Sequence, residues 1–314
     1  MIDRTELLAR VASMYYEDRA TQDEIARRID TSRSTVSRIL QEALDTGVVE
    51  IIVHYPWKTV PEVEDELTTR FALRHARILL GRGRPYEEIL RGLGVLAAGY
   101  LDGLLNEDTI LGISWGKAVC SVVRALRPAR RLPITVVQIV GAVGQGDPLT
   151  DGHELARELA RVYGGEFRYL HAPLMVEHTH TGEALMQEQH ISDTLALARR
   201  ADIALVGIGA PDPQNYSLLR AGYIDRAALA EMQARGVVGD VCARHYNAQG
   251  RVLDIELNDR VVGIKLESLH RIDQVIGVAT GTAKAKAILG ALRGGHVNVL
   301  ITDDVTAKKV LALA

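Results

Sequence analysis

The sequence predicts an α/β chain in two parts: a small helical head, then a doubly wound, mostly parallel sheet with helices on both faces. Two observations predict this. Residues 1–53 hold three short amphipathic stretches at helical spacing and one β-branched run. After them, aliphatic strand-like runs alternate with helical patterns to the end of the chain. Composition agrees, with 47% apolar and 25% charged residues but only 4% aromatics, because buried parallel strands are aliphatic runs. A chain of 314 residues is long enough for two ordinary domains.

The head begins with an amphipathic helix whose apolar residues are Leu7, Leu8, Val11, Met14 and Tyr15. Thr21-Gln22-Asp23-Glu24 then reads as a capping box, in which the Thr21 hydroxyl and the Glu24 carboxylate satisfy each other's backbone N–H groups. It starts a short helix to Ile29, with Ile25, Ala26 and Ile29 inward. Ser32 caps a third helix from Arg33 to about Thr46, with Val36, Ile39, Leu40, Ala43 and Leu44 inward, and Gly47 ends it. Val48–Val53 is the β-branched run. Helix, helix, tight turn, helix, strand is the outline of a winged helix-turn-helix, and the boundary expected from this pattern is 1–55 against 56–314.

In such a motif the first turn of the last helix enters the DNA major groove. Here that turn reads Ser32-Arg33-Ser34-Thr35-Val36-Ser37-Arg38. Arg33 is suited to clamp a guanine, and Ser34, Thr35 and Ser37 to meet bases or phosphate. Arg27, Arg28 and Arg38 are placed for phosphate, and Thr21 and Gln22 complete the candidate contacts. Net charge opposes this reading: residues 1–55 carry seven Arg and ten acids, a net of −3, whereas DNA-binding domains are usually basic. Between Thr31 and Gln41, however, lie two Arg and no acid, so the reading surface is locally positive.

Pro56, Trp57 and Pro61 form a connector into a helix from Glu62 to Phe71. Strands are expected at Arg77–Leu80, Thr109–Ile113, Ile134–Val140, Ile203–Ile208, Val275–Ala279 and Val297–Thr302. Helices are expected at Tyr86–Leu105, Lys117–Leu126, Gly152–Val162, His190–Arg200, Arg226–Arg235 and Thr282–Arg293. The result is a Rossmann-like sheet. Four of its strands run into Gly-rich loops: Gly112–Lys117, Gly141–Gly144, Gly207–Pro211 and Thr280–Lys284. Loops beyond the carboxyl ends of parallel strands are where open sheets bind ligands. The first enters a helix, so its N–H groups suit an anion, with Ser114 adding a hydroxyl and Lys117 a charge. None is a dinucleotide fingerprint or a nucleotide-hydrolase phosphate loop.

Tyr15-Tyr16, Thr21–Ala26, Ser32–Arg38 and Gly47-Val48-Val49 resemble the N-terminal domain of SorC-type sugar-binding transcriptional regulators. The resemblance extends through Gly112–Lys117, Gly207-Ile208-Gly209, Gly239–Cys242, Asn258–Gly263 and the tail Gly281–Thr306. It implies a sensor for a sugar or sugar-phosphate effector on a sheet like that of ribose-phosphate isomerase. It also implies an operator of double-stranded DNA and a homo-oligomer, dimer or tetramer. By the same resemblance Ser114, Gly116, Lys117, Gly141, Gly207, Gly209, Asp240 and Lys284 become candidate effector contacts. Two departures stand out. Ile29-Asp30-Thr31 replaces the usual Leu-Gly-Ile, and Asp tolerates the φ > 0 that the turn requires. Thr280 stands where Gly is usual. Lys284 reads equally as an exposed residue of a helix's first turn, and Asp240 equally as a cap for its own loop.

His178 and His180, with Glu177 and His190, invite a metal hypothesis, but no third ligand follows at a convincing spacing, so neither a metal nor a cofactor is expected. Gln187, Glu188 and Gln189 belong to the same segment. An enzyme of the isomerase or deaminase kind would need a carboxylate base beside a ring-opening acid. Asp240 or Asp151 would serve as the base, but no pair emerges from spacing. A recombinase or sigma-like protein is the third reading, and the second domain argues against it. Asp3, Arg4 and Glu6 fall where a signal peptide is apolar, no run reaches the ~20 residues of a membrane span, and Cys120 and Cys242 form no framework. A cytoplasmic protein is expected.

Overall fold

The computed structural model describes residues 3–49, 57–144 and 147–314. It divides into two compact units, Met1–Pro56 and Trp57–Ala314.

The first unit is built from α1 (Arg4–Tyr16), α2 (Gln22–Arg28) and α3 (Arg33–Asp45). Leu8, Val11, Ala12, Ile25, Ala26, Val36, Ile39, Leu40 and Ala43 form its buried core. Both expected caps are present. The Glu24 N–H donates to the Thr21 hydroxyl (3.3 Å) while the Thr21 N–H donates to the Glu24 carboxylate (2.8 Å). The Thr35 N–H donates to the Ser32 hydroxyl (3.2 Å). Asp30 takes the turn between α2 and α3 at φ +53°, the left-handed geometry for which Gly is usual. Leu44 is only partly buried. Most of the wing, Glu50–Val53, lies outside the described residues.

The second unit is a seven-stranded, wholly parallel sheet. Its strands are β1 (His75–Leu79), β2 (Ile110–Ile113), β3 (Thr135–Gln138), β4 (Glu166–Arg168), β5 (Ile203–Gly207), β8 (Gln274–Val278) and β9 (Val299–Asp303). A separate antiparallel hairpin joins β6 (Gly239–Val241) to β7 (Arg244–Tyr246). The spatial order is β1-β9-β8-β5-β2-β3-β4. Side chains alternate between two cores. Ala204 and Val206 enter the core on one face, Ile203 and Leu205 the core on the other, as a sheet covered on both sides requires.

The chain runs outward from β2 through β3 to β4, then returns to place β5 on the other flank of β2. The order therefore reverses between β2 and β5, and the crevice beyond their carboxyl ends is the topological switch point of the fold. All six expected sheet strands are present within a residue or two. β4 and the β6–β7 hairpin are additional.

Candidate functional site

A cavity of about 400 Å³ opens at the switch point. Three of the four Gly-rich loops line it: Ser114–Ala118 after β2, Gly207–Ala210 after β5 and Thr280–Lys284 after β8. Seven of the eight candidate effector residues therefore converge there: Ser114, Gly116, Lys117, Gly207, Gly209, Asp240 and Lys284. Gly141 does not line it. Its N–H donates to the Val262 carbonyl (2.9 Å), and a Cβ there would stand 2.1 Å from the Pro173 carbonyl oxygen. Close backbone packing is what requires glycine at 141.

Ser114 is buried and sets the junction, its N–H donating to the Leu205 carbonyl (3.0 Å) across the β2–β5 pair. Gly116 follows at φ +112° and caps the helix Lys117–Ala125. The first-turn N–H groups of that helix have no partner within it, and Lys117 extends from the same turn, exposed at the cavity wall. Such an end attracts an anion through its N–H groups and its dipole.

Asp240 arrives from β6. Its backbone exchanges two hydrogen bonds with Gly209 (2.9 and 3.2 Å), so hard against it that a Cβ on Gly209 would lie 2.0 Å from Oδ1. Oδ2 accepts from the Ala243 N–H (3.2 Å) and caps the hairpin turn. Oδ1 is buried and has no hydrogen-bond partner. Asp240 thus holds its own loop through one oxygen, one of the two readings the sequence left open. Lys284 is half-buried, and its ammonium donates to the Ile208 carbonyl (2.8 Å). Burial pushes its pKa below the ordinary lysine value, and the Asp240 carboxylate opposes that shift. Thr280, the departure from the family's Gly, is buried and donates its hydroxyl to Asp303 (2.6 Å).

Beneath Asp240 lies a buried polar relay. The Tyr216 hydroxyl meets His245 Nε2 at 2.6 Å, and His245 Nδ1 meets Asn258 Oδ1 at 2.9 Å. The Asn258 amide nitrogen donates to the carbonyls of His245 (3.1 Å) and Leu253 (2.7 Å). Asn258 Oδ1 is therefore the acceptor, Nδ1 carries the imidazole proton, and Tyr216 donates to Nε2. Burial lowers the His245 pKa and raises that of Tyr216, whose ionisation the nearby Asp240 charge further opposes. Cys242, also in the lining, has its thiol pushed up to about 12 by the same burial, so it is inert.

The sequence reading missed Tyr86, Asp212, Asn215, Tyr216, Arg220 and Thr282 in the lining. Only Thr282, in the first turn after a Gly-rich loop, carried a local signal. Asp151 does not line the cavity: it accepts from the N–H groups of Val143, Gly144 and His153 and caps the helix Gly152–Tyr163. His178 and His180 stack at 5.5 Å on the exposed start of the helix Thr179–Gln187. Among the described residues, no group of three or more His, Cys, Asp or Glu is placed to hold a metal ion.

In the first unit, Arg33, Ser34, Ser37 and Arg38 form the exposed face of α3, opposite its buried residues, and Arg27 and Arg28 are exposed on α2. Gln22 and Thr35 are partly buried. The hydroxyls of Thr21 and Ser32 are engaged in their caps.

Comparison with known proteins matches this architecture in both units. Residues 56–312 fit the family model "Putative sugar-binding domain", and residues 6–46 fit "Sigma-70, region 4". The sorbitol operon regulator of Klebsiella pneumoniae is 32% identical over 98% of both chains. The transcriptional regulator LsrR of Klebsiella pneumoniae subsp. pneumoniae is 33% identical over 98% of this chain and 94% of its own. The crystal structure of full-length SorC from Klebsiella pneumoniae superposes with a TM-score of 0.77 at 30% identity, over 98% of this chain and 99% of that one. A helix-turn-helix head on a doubly wound sheet with a polar cavity at its switch point defines a sugar-responsive transcriptional regulator of an operon. The chain belongs to the SorC-type family of sugar-binding transcriptional regulators. The sigma-like match covers the helix-turn-helix alone.

Proposed function

We propose that residues 1–55 bind a double-stranded DNA operator and that residues 56–314 take a sugar or sugar phosphate in the switch-point cavity. The protein acts in the cytoplasm as a homo-oligomer, dimer or tetramer, and does no chemistry on its effector. The observation that carries the effector reading is Asp240, buried at the cavity wall with one carboxylate oxygen unpartnered. An unsatisfied buried oxygen is costly, and a ligand hydroxyl would satisfy it. The helix end at Gly116–Lys117 and the Thr282 hydroxyl, on the same lining, suit a phosphate. The names of two relatives, a sorbitol operon regulator and a deoxyribonucleoside regulator, fit such an effector. Of the two bases considered, Asp151 is committed to capping and Asp240 alone lines the cavity; the relatives' names as regulators support a sensor over an isomerase.

The test is fluorescence anisotropy on DNA from upstream of the gene, titrated with matched sugars and sugar phosphates. Asp240→Asn should raise the half-maximal concentration of every active ligand about 10-fold or more. Lys117→Ala should do so only for phosphorylated ones. An unchanged sugar-phosphate response in Lys117→Ala sinks the phosphate assignment, and steady turnover of the ligand sinks the sensor reading.

A further inference from the structure

The two edges of the large sheet are finished differently. Alongside β1 the chain lays residues 58–60: the Leu80 N–H donates to the Lys58 carbonyl (2.8 Å), the Val60 N–H to the Ile78 carbonyl (2.9 Å), and Thr59 bridges Leu79. β4 ends the sheet on the other side, and among the described residues no strand pairs with its outer edge. On its inner side the Glu166 N–H donates to the Ile134 carbonyl (2.9 Å) and the Leu170 N–H to Gln138 Oε1 (3.2 Å). Backbone groups alternate along a strand, so the N–H and carbonyl of Phe167 point outward.

Glu166, Phe167 and Arg168 are all exposed, Phe167 by 37%. Phe167 stands 4.5 Å from Tyr169, and Tyr169 stacks on His153 at 3.4 Å, which makes an aromatic ladder along an open edge. An unpaired edge is a template for another strand, and proteins that must not pair there guard it with charge. The charges here are of opposite sign, two residues apart, about a central aromatic.

We propose that the outer edge of β4 is a self-association surface that takes a second copy of this chain, antiparallel about a two-fold axis at Phe167. The proposal rests on the reading of this regulator as a homo-oligomer. In that register residue 166 faces residue 168 of the other copy, so each Glu166 meets an Arg168 and two ion pairs form. The outward N–H and carbonyl of Phe167 exchange hydrogen bonds with their counterparts across the axis. A two-fold interface must be self-complementary, and Glu-Phe-Arg is complementary to itself only when antiparallel about its middle residue. In each copy Arg168 pairs with its own Glu166 (2.8 Å) and donates to the Phe167 carbonyl (3.3 Å). On association these two intrachain ion pairs would be exchanged for the two intermolecular ones, and the carbonyls released to the partner's N–H groups.

The experiment is sedimentation velocity on the full chain across a concentration series. The wild type should be oligomeric. Glu166→Arg and Arg168→Glu each set like charges across the axis and should weaken association about 10-fold or more, with unchanged circular dichroism spectra because both positions are exposed. The double variant Glu166→Arg/Arg168→Glu should recover wild-type association, and so should an equimolar mixture of the two single variants. Single variants that associate as tightly as an oligomeric wild type overturn the β4 interface while leaving the oligomer reading intact. A monomeric wild type overturns both. Weakening without recovery in the mixture shows that 166 and 168 do not face each other, and also overturns it.

Discussion

The outer face of α3 and the Asp240 wall of the cavity are both polar, yet they are held in place by different means. Arg33, Ser34, Ser37 and Arg38 stand exposed on a helix whose opposite face is the core. Their positions follow from helical period and a Ser32 cap, all within a dozen residues. Asp240 is held by Gly209 and Ala243 and lies opposite His245 in the hairpin, whose ring is fixed by Tyr216 and Asn258, so its surroundings come from segments scattered over residues 209–258. The first arrangement allows a contact residue to change without touching stability. In the second, function and stability share the same hydrogen bonds.

Asn258→Ala should show the largest effect. It removes four hydrogen bonds at a buried site, two accepted by Oδ1 and two donated by Nδ2, and leaves the His245 N–H groups unpaired. A loss of about 3 kcal/mol is expected, read from the urea midpoint of the sheet unit, together with a weakened effector response. If stability fell but the response held, the relay would have no part in placing Asp240. Thr21→Ala comes next. It removes the capping hydroxyl of α2 and should cost about 1 kcal/mol, seen as faster amide exchange at Glu24 and Ile25 with the sheet unit unaffected.

Arg33→Ala sharpens the contrast from the other side. Its stability change should fall within about 0.5 kcal/mol, while operator affinity drops by about 10-fold, as expected for a bidentate guanine contact. Unchanged affinity would move the base-reading role elsewhere on α3. Because the head is net acidic, the proposed operator affinity would rest on this small patch, multiplied by linking copies of it in the proposed oligomer.

Legibility from sequence followed the same division. Six sheet strands were legible because strands buried on both faces are aliphatic runs. β4 was not, because Glu166-Phe167-Arg168 is a short exposed edge with no apolar run. The β6–β7 hairpin was hidden by its turn: Cys242 and Ala243 take φ +54° and +59°, the geometry normally marked by Asn-Gly. The loops at Gly112–Lys117 and Thr280–Lys284 announced themselves through glycine. Tyr216 and Arg220 belong to the one-turn helix Ser217–Arg220 and its cap, too short to show a helical period in the sequence. Gly141 shows the converse: its Gly-rich loop looked like a ligand loop, but the glycine is there for Pro173.

The smallest expected effect is a pH slope that should appear in one unit and not the other. Buried and neutral, His245 titrates below the ordinary imidazole value of 6.5, and His296 is shifted in the same direction by burial. With folded values below the unfolded one, the unfolded chain binds more protons in this range. The stability these groups contribute is present above about pH 6.5 and is lost as pH falls through their folded values. The one histidine of the head, His54, lies outside the described residues and outside α2. The head's shifted acids, Glu24 and Glu42, are held below the usual carboxylate value by their bonds to Thr21 and to Arg4, so their contributions fade only in the carboxylate range. Between pH 7 and 5.5 the urea midpoint of the sheet unit should therefore fall while amide protection in α2 stays level. His245→Gln should flatten part of that slope and leave the share of His296. An undiminished slope in the variant would mean that His245 is not the proton acceptor, and that the relay beneath Asp240 is not what ties the effector site to the stability of its unit.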